Sequence, residues 1–248
     1  MAPAGIGAEV EGIHAVVAAV ASGRVRELWV ESGRLDRPEI AEVVSAVSAA
    51  GADVHVVDDV SAFASTAAPQ GVVARCRPIR PTDLETLVTR SEPAAVLILD
   101  HVEDPHNLGA AVRSAVAAGV TSLVVPTRRA APFSAAAFKA AAGALEHVAV
   151  GLVSSVAEAL RGLGRWGVWT VGLDVGAETP LFGLELLSEP VAVVVGAEGA
   201  GLTRLVRDRV DVVASIPVYG PVQSLNASVA AALACYEIQR VRRREALA

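Results

Sequence analysis

The sequence predicts an α/β protein, a large parallel-sheet domain preceded by a smaller α/β domain. Three observations carry that expectation. Short apolar runs alternate with helical patterns along almost the whole chain, which is the order of a sheet covered by helices. In the C-terminal part these runs are apolar throughout rather than at alternate residues, as strands buried on both faces of a parallel sheet are. Between the two parts lies RPIRPTDLETLVTRSEP (77–93), whose prolines and mixed charge mark a linker. The expected boundaries are 1–76, 77–93 and 94–248.

In the small domain, RELWV (26–30) and DVHVV (53–57) read as strands on either side of a helix over RPEIAEVVSAVSAA, and GVVARC (71–76) adds a third. In the large domain the strands are AVLIL (95–99), SLVVP (122–126), VWTVG (168–172), VAVVV (191–195) and VVASI (212–216). Helical patterns fall at 107–118, 134–144, 154–163 and 201–209. Pattern alone describes a doubly wound sheet with helices on both faces, without internal repeats.

Composition narrows the function classes. The 248 residues are 53% hydrophobic and 19% charged, a folded globular composition rather than a disordered one. A net charge of −6 argues against a generic nucleic-acid binder but leaves room for a local basic patch. Lys139 is the single lysine. Arginine forks suit phosphates and stacked bases, although a GC-rich genome yields the same bias. Cys76 and Cys235 are far apart, and the five histidines are scattered, so neither a disulfide framework nor a metal site is expected. No secretory leader or membrane span of about 20 apolar residues is legible, and a cytoplasmic location is expected.

Three loops of the large domain should leave the carboxyl edge of the sheet, where such folds bind ligands. In LILDHVEDPHNLGAAVRSAVAAGV (97–120), Asn107 is placed to cap a helix whose apolar stripe includes Leu108, Ala111, Val112 and Ala115. Arg113 lies roughly 140° from Leu108 by the helical period, off the core face. In VAVVVGAEGAGL (191–202), three glycines after a strand free backbone N–H groups to approach a ligand, but GxxGxG is not the dinucleotide fingerprint. In SIPVYGPVQSLNASVAAALACYEIQR (215–240), Ser224 is the expected N-cap and Asn226 a polar first-turn residue. Taken singly, each loop is open to a bland reading: a cap, a solvated Arg113, a solvated Glu198.

Together, LDHVEDPHNLGAAVRSAVAAGV, VVVGAEGAGL and IPVYGPVQSLNASVAAALACYE resemble, in order and spacing, the three motifs of the SpoU/TrmH family of RNA ribose 2′-O-methyltransferases. The resemblance continues into the first domain, where GIHAVVAAVASGRVRELWV and PQGVVARCRP look like the ribosomal-protein-like RNA-binding domain of the branch that methylates a guanosine in large-subunit ribosomal RNA. One departure is Ala68-Pro69, where that branch carries basic and histidine residues before QG.

The resemblance implies a deep trefoil knot, S-adenosylmethionine as cofactor and a homodimer packed near the knot. It assigns cofactor binding to the backbone at Gly196, Ile216 and Leu225, and the reaction to Arg113 with Asn107, Glu198, Ser224 and Asn226. Glu198 and Asn226 are expected to orient Arg113 and the ribose, with Asn107 and Ser224 shaping the pocket. RNA would meet Arg24, Arg26, Arg75, Arg77, Arg128 and Arg129; Arg242, Arg243 and Arg244 close the last helix, where cations favour the dipole, with RNA contact second. Rival readings keep the reaction on tRNA, or make the chain a non-catalytic ribosome assembly factor. A nucleotide-binding oxidoreductase rests on the glycine loop alone.

Overall fold

The computed structural model describes residues 5–199 and 201–245. In chain order its strands and helices are β1 (Glu9–Glu11), α1 (Ile13–Ala21), β2 (Val25–Glu31), α2 (Pro38–Ala49), β3 (Asp53–Val57), β4 (Val72–Cys76) and α3 (Leu84–Val88). There follow β5 (Ala95–Asp100), α4 (Pro105–Ala117), β6 (Ser122–Pro126), α5 (Ala135–Ala140), β7 (Ala149–Val153), α6 (Val156–Arg165), β8 (Trp169–Leu173) and β9 (Thr179–Pro180). The chain closes with β10 (Val191–Gly196), α7 (Arg204–Arg207), β11 (Val212–Ser215) and α8 (Ala227–Glu245). It divides into two compact units, Met1–Arg80 with Pro132–His147, and Pro81–Ala131 with Val148–Ala248.

The first unit is a four-stranded sheet in the order β1-β4-β2-β3, antiparallel except for the β2–β3 pair. The segment 132–147, which pattern assigns to the large domain, belongs to this unit for two physical reasons. Arg24 Nε donates to Glu146 Oε2 at 2.8 Å, and Nη2 donates to Oε1, with the Glu146 carboxylate almost wholly buried. A buried carboxylate needs such a partner. Phe138, fully buried, fits against Gly7, whose φ of 63° suits glycine and where a Cβ would lie 2.3 Å from the ring. Helix α5 then stops at Ala142 and Gly143, both at positive φ, short of the 134–144 span expected.

The second unit is a seven-stranded, all-parallel sheet in the order β7-β6-β5-β10-β8-β11-β9. Both faces are covered, as continuous apolar strands require. Val96, Ile98, Ala192 and Val194 pack with Leu87 of α3, Leu160 and Leu163 of α6, and Val206 of α7. Helix α8 lies against α4, β5 and β10. Within the expected linker, Leu87 and Val88 of α3 are buried in this core. The strand β7 escapes the pattern because AVGLV is diluted by alanine and glycine and lies at the sheet edge. Helix α7 is far shorter than 201–209, since Thr203 is held by a hydrogen bond to Asp100 at 3.1 Å.

No helix of the described residues is long and apolar enough to cross a membrane. Cys76 and Cys235 are both buried free thiols, and burial pushes them up to about 11 and about 12 respectively.

The arginine run at the end of α8 divides by role. Arg242 is anchored to carbonyls: its guanidinium donates to Pro93 (2.9 Å), Ala94 (2.7 Å), Glu189 (2.8 Å) and Leu187 (3.2 Å). Arg243 and Arg244 are exposed. Arg242→Ala leaves these carbonyls short of donors and is expected to cost about 2 kcal/mol. The Tm should fall by about 4–8 °C on that basis, while Arg243→Ala leaves the thermal unfolding curve in place.

Candidate active site

Strands β5 and β10 are neighbours, and their register ends with Gly196 opposite Asp100. The loops after them therefore start level at the carboxyl edge of the sheet. Asp100 is wholly buried. Its carboxylate accepts from the Thr203 N–H and hydroxyl, each at 3.1 Å, and from His101 Nδ1 at 2.7 Å. One buried carboxylate thus fixes the start of the first loop and the end of the second, and the hydrogen bonds offset its desolvation.

The second loop closes on itself. Ala197 N–H donates to the Gly201 carbonyl at 3.1 Å, and Gly201 N–H returns a bond to Ala197 at 2.9 Å. This closure explains two of the three glycines. A Cβ on Gly196 would fall 2.1 Å from the Gly201 carbonyl carbon, and Gly201 has φ of 64°. Glu198 projects from the closed loop toward the other two.

There it meets two carboxamides. Asn107 Nδ2 donates to Glu198 Oε1 at 3.2 Å, Asn226 Nδ2 donates to the same oxygen, and Asn226 Nδ2 lies 2.9 Å from Asn107 Oδ1. One residue from each loop therefore enters a single hydrogen-bonded cluster. The caps differ from expectation. Asp104 caps α4, accepting from His106 N–H at 2.8 Å, which leaves Asn107 in the first turn with its side chain free to reach Glu198. Asn226, not Ser224, caps α8: its Oδ1 accepts from Ser228 N–H at 2.8 Å and the Ser228 hydroxyl at 2.6 Å. Asn226 thus uses its oxygen for the helix and its nitrogen for the cluster.

Two cavities flank this cluster. The first, of about 230 Å³, is lined by Gly196, Glu198, Ile216, Ser224 and Leu225 together with Asp174. All three backbone positions expected to hold a cofactor thus line it. Burial works to raise the Asp174 pKa, but the Arg207 hydrogen bond, the Gly176 N–H and the Arg207 charge outweigh it and hold the carboxyl below its ordinary range. Asp174 was not singled out from the sequence, although it directly follows β8 at the same sheet edge. The second cavity, of about 480 Å³, is lined by His101, Glu103, Asn107, Arg129 and Glu198.

Arg113 stands apart. It is exposed on α4 and has no hydrogen-bond or ion-pair partner among the described residues. By the helical period it projects roughly 120° away from Asn107. The other candidate cations also separate. Arg24 is tied to Glu146, and Arg77 donates to the Gly23 carbonyl. Arg75 lies 4.9 Å over the Trp29 ring, a favourable cation–π distance. Arg26, Arg128 and Arg129 are exposed.

A parallel α/β sheet with its polar cluster and glycine loop gathered over the strand ends has the architecture of a ligand-binding α/β fold. The SpoU rRNA Methylase family matches residues 94–236, and the RNA 2'-O ribose methyltransferase substrate binding family matches residues 10–82. A 23S rRNA (guanosine-2'-O-)-methyltransferase RlmB from Coxiella burnetii is 40% identical over 238 residues, 93% of this chain and 94% of that protein. One from Xanthomonas campestris is 39% identical over 93% of this chain and 95% of its own length. Among solved structures, the SpoU methyltransferase AviRb from Streptomyces viridochromogenes in complex with AdoMet superposes with a TM-score of 0.78 at 25% identity, covering 96% of this chain and 90% of that one. The chain belongs to the SpoU rRNA methylase family.

The double duty of Asn226 can be separated. Asn226→Ala removes both functions and is expected to lower stability by about 1 kcal/mol through the lost cap. Asn226→Ser restores a capping oxygen but lacks the carboxamide nitrogen that reaches Glu198 and Asn107. It should recover most of that stability in thermal unfolding without recovering turnover.

Proposed function

We propose that the protein transfers a methyl group from S-adenosylmethionine to a ribose 2′-hydroxyl of RNA, with a guanosine of 23S ribosomal RNA as target. The observation that carries this reading is the Asn107–Glu198–Asn226 cluster lying between two cavities. The residues present fit the cofactor. The first cavity is built largely of backbone and apolar side chains, with a glycine loop too closely packed to admit a Cβ at Gly196 and the Asp174 and Glu198 carboxylates on its lining. When bound, the cofactor supplies an electrophilic methyl on a sulfonium.

The chain's own residues then have to place the hydroxyl and relieve it of its proton. Gly196, Ile216 and Leu225 hold the cofactor side. Ser224 lines the same cavity and shapes its wall. The two carboxamides hold Glu198 at the boundary between the cavities, where it and Asn226 can position the acceptor ribose. Arg113 is the reacting-group cation. Its guanidinium has no partner among the described residues and projects away from Asn107, so this role rests on its place in the family motif rather than on contact with the cluster. Guanidinium is a donor that keeps its charge, so its plain role is to stabilise the developing alkoxide, and a transient proton acceptance would need it held beside that oxygen. In balance, the 2′-oxygen to methyl bond forms, the methyl to sulfur bond breaks, and the hydroxyl proton is released.

The relatives named for 23S rRNA match this chain over nearly their whole length, including the RNA-binding domain, which favours ribosomal RNA over tRNA. A homodimer is supported by apolar side chains exposed around the site. Val229 and Tyr236 lie seven residues apart on α8, and Tyr219 and Val222 stand in the turn before it. The return of the chain from β11 to α8, packed on β5 and β10, is the path that a trefoil knot would need. An enzyme of ribosomal RNA would work in the cytoplasm.

The test incubates purified protein with radiolabelled S-adenosylmethionine and either unmodified 23S rRNA or unmodified tRNA. Label is expected in 2′-O-methylguanosine from 23S rRNA, falling about 100-fold or more in Arg113→Ala. Glu198→Gln should also reduce turnover, by about tenfold or more. Label in tRNA alone would overturn the target. RNA binding without transfer would favour an assembly factor.

A further inference from the structure

Besides Asn107 and Glu198, the second cavity is lined by His101, Glu103 and Arg129, which the proposed reaction does not use. It adjoins the Asn107–Glu198 side of the cluster, so a nucleoside whose ribose reached that cluster would extend its base into it. Its wall carries two non-glycine residues in the left-handed region, His101 with φ of 61° and Arg129 with φ of 54°. Side chains rarely adopt this conformation, and where they do the surrounding structure enforces it, active and ligand sites among the places where it gathers. The His101 ring is fixed by Asp100 at 2.7 Å.

The polar groups of the wall are also unspent. Arg129 is exposed and has no ion-pair or hydrogen-bond partner among the described residues. Glu103, on the same wall, is likewise exposed and unpaired among them. A guanidinium and a carboxylate facing one cavity without bridging each other present a donor fork at one place and an acceptor at another. Guanine displays the complement. O6 and N7 accept from an arginine fork, and N1–H with the N2 amino group donate to a carboxylate.

Resting on the methyl-transfer reading above, we propose that this cavity receives the acceptor guanine itself, Arg129 donating to O6 and N7 and Glu103 accepting from N1–H and the N2 amino group. Arg129 and Glu103 are then specificity-determining residues for the base, separate from the groups that act on the ribose. Adenine presents an amino group where guanine has O6, and so meets the arginine fork with a donor. The two pyrimidines lack N7.

The test pairs a change in the protein with a change in the base. The methylated position is first mapped with the wild-type protein on 23S rRNA. RNA is then assembled by ligation with guanosine, inosine (no N2 amino group) or 7-deazaguanosine (no N7) at that position. In the wild type, inosine is expected to lower kcat/KM about tenfold, a size typical of one specific base contact. Glu103→Ala should show a similar loss on guanosine and little further loss on inosine. Arg129→Ala should be insensitive to 7-deazaguanosine in the same way, with S-adenosylmethionine affinity by calorimetry unchanged in both variants. Equal penalties for the base changes in wild type and variants would overturn the assignment while leaving methyl transfer intact. No transfer by the wild type to guanosine RNA would instead overturn the proposed function, and this inference with it.

Discussion

The buried Asp100 carboxylate is the constraint on which the site depends. Standing at the end of a central strand with no access to water, it must be satisfied from within, and the groups that satisfy it are His101 and Thr203. Those two residues begin one functional loop and end another. The same carboxylate that would be costly unpaired therefore sets the distance between the loops. The level ending of β5 and β10 places that tie at the sheet edge, where α/β folds hold ligands.

Around it, the chain combines structural and chemical work in the same side chains. Asn226 caps the longest helix with its oxygen and holds Glu198 with its nitrogen. A helix that must bury an apolar face against α4 and β10 needs a firm start, and its capping residue also belongs to the cluster. The arginines divide the opposite way. Arg24 and Arg242 are committed to a buried carboxylate and to four carbonyls, whereas Arg113 and Arg129 have no partner among the described residues.

Much of this was legible in advance, and the misses have physical causes. The central strands β5, β6, β8 and β10 are continuous apolar runs because they are buried on both faces, and their pattern declares it. The strand β7 carries alanine and glycine at the edge of the sheet, where less burial is demanded, and no run marks it. Helix spans were overestimated at α5 and α7 because propensity cannot anticipate a left-handed Ala142 or a threonine held by a distant aspartate. The caps were assigned to Asn107 and Ser224 because both are good capping types. The residues that cap, Asp104 and Asn226, are equally good, and only geometry distinguishes them.

The parallel α/β class, the three polar loops and the family to which their spacing belongs can be read from burial patterns and motif spacing, both written along the chain. Tertiary structure alone decided which polar side chains meet. Asn107, Glu198 and Asn226 lie on separate segments, and their contact depends on strand register and loop closure. It also decided that 132–147 packs with the first unit, that Arg24 and Arg242 are internal anchors, and that Arg129 and Glu103 line one cavity without a partner among the described residues. These are relations between residues distant in the chain, fixed by three-dimensional packing that no local pattern records.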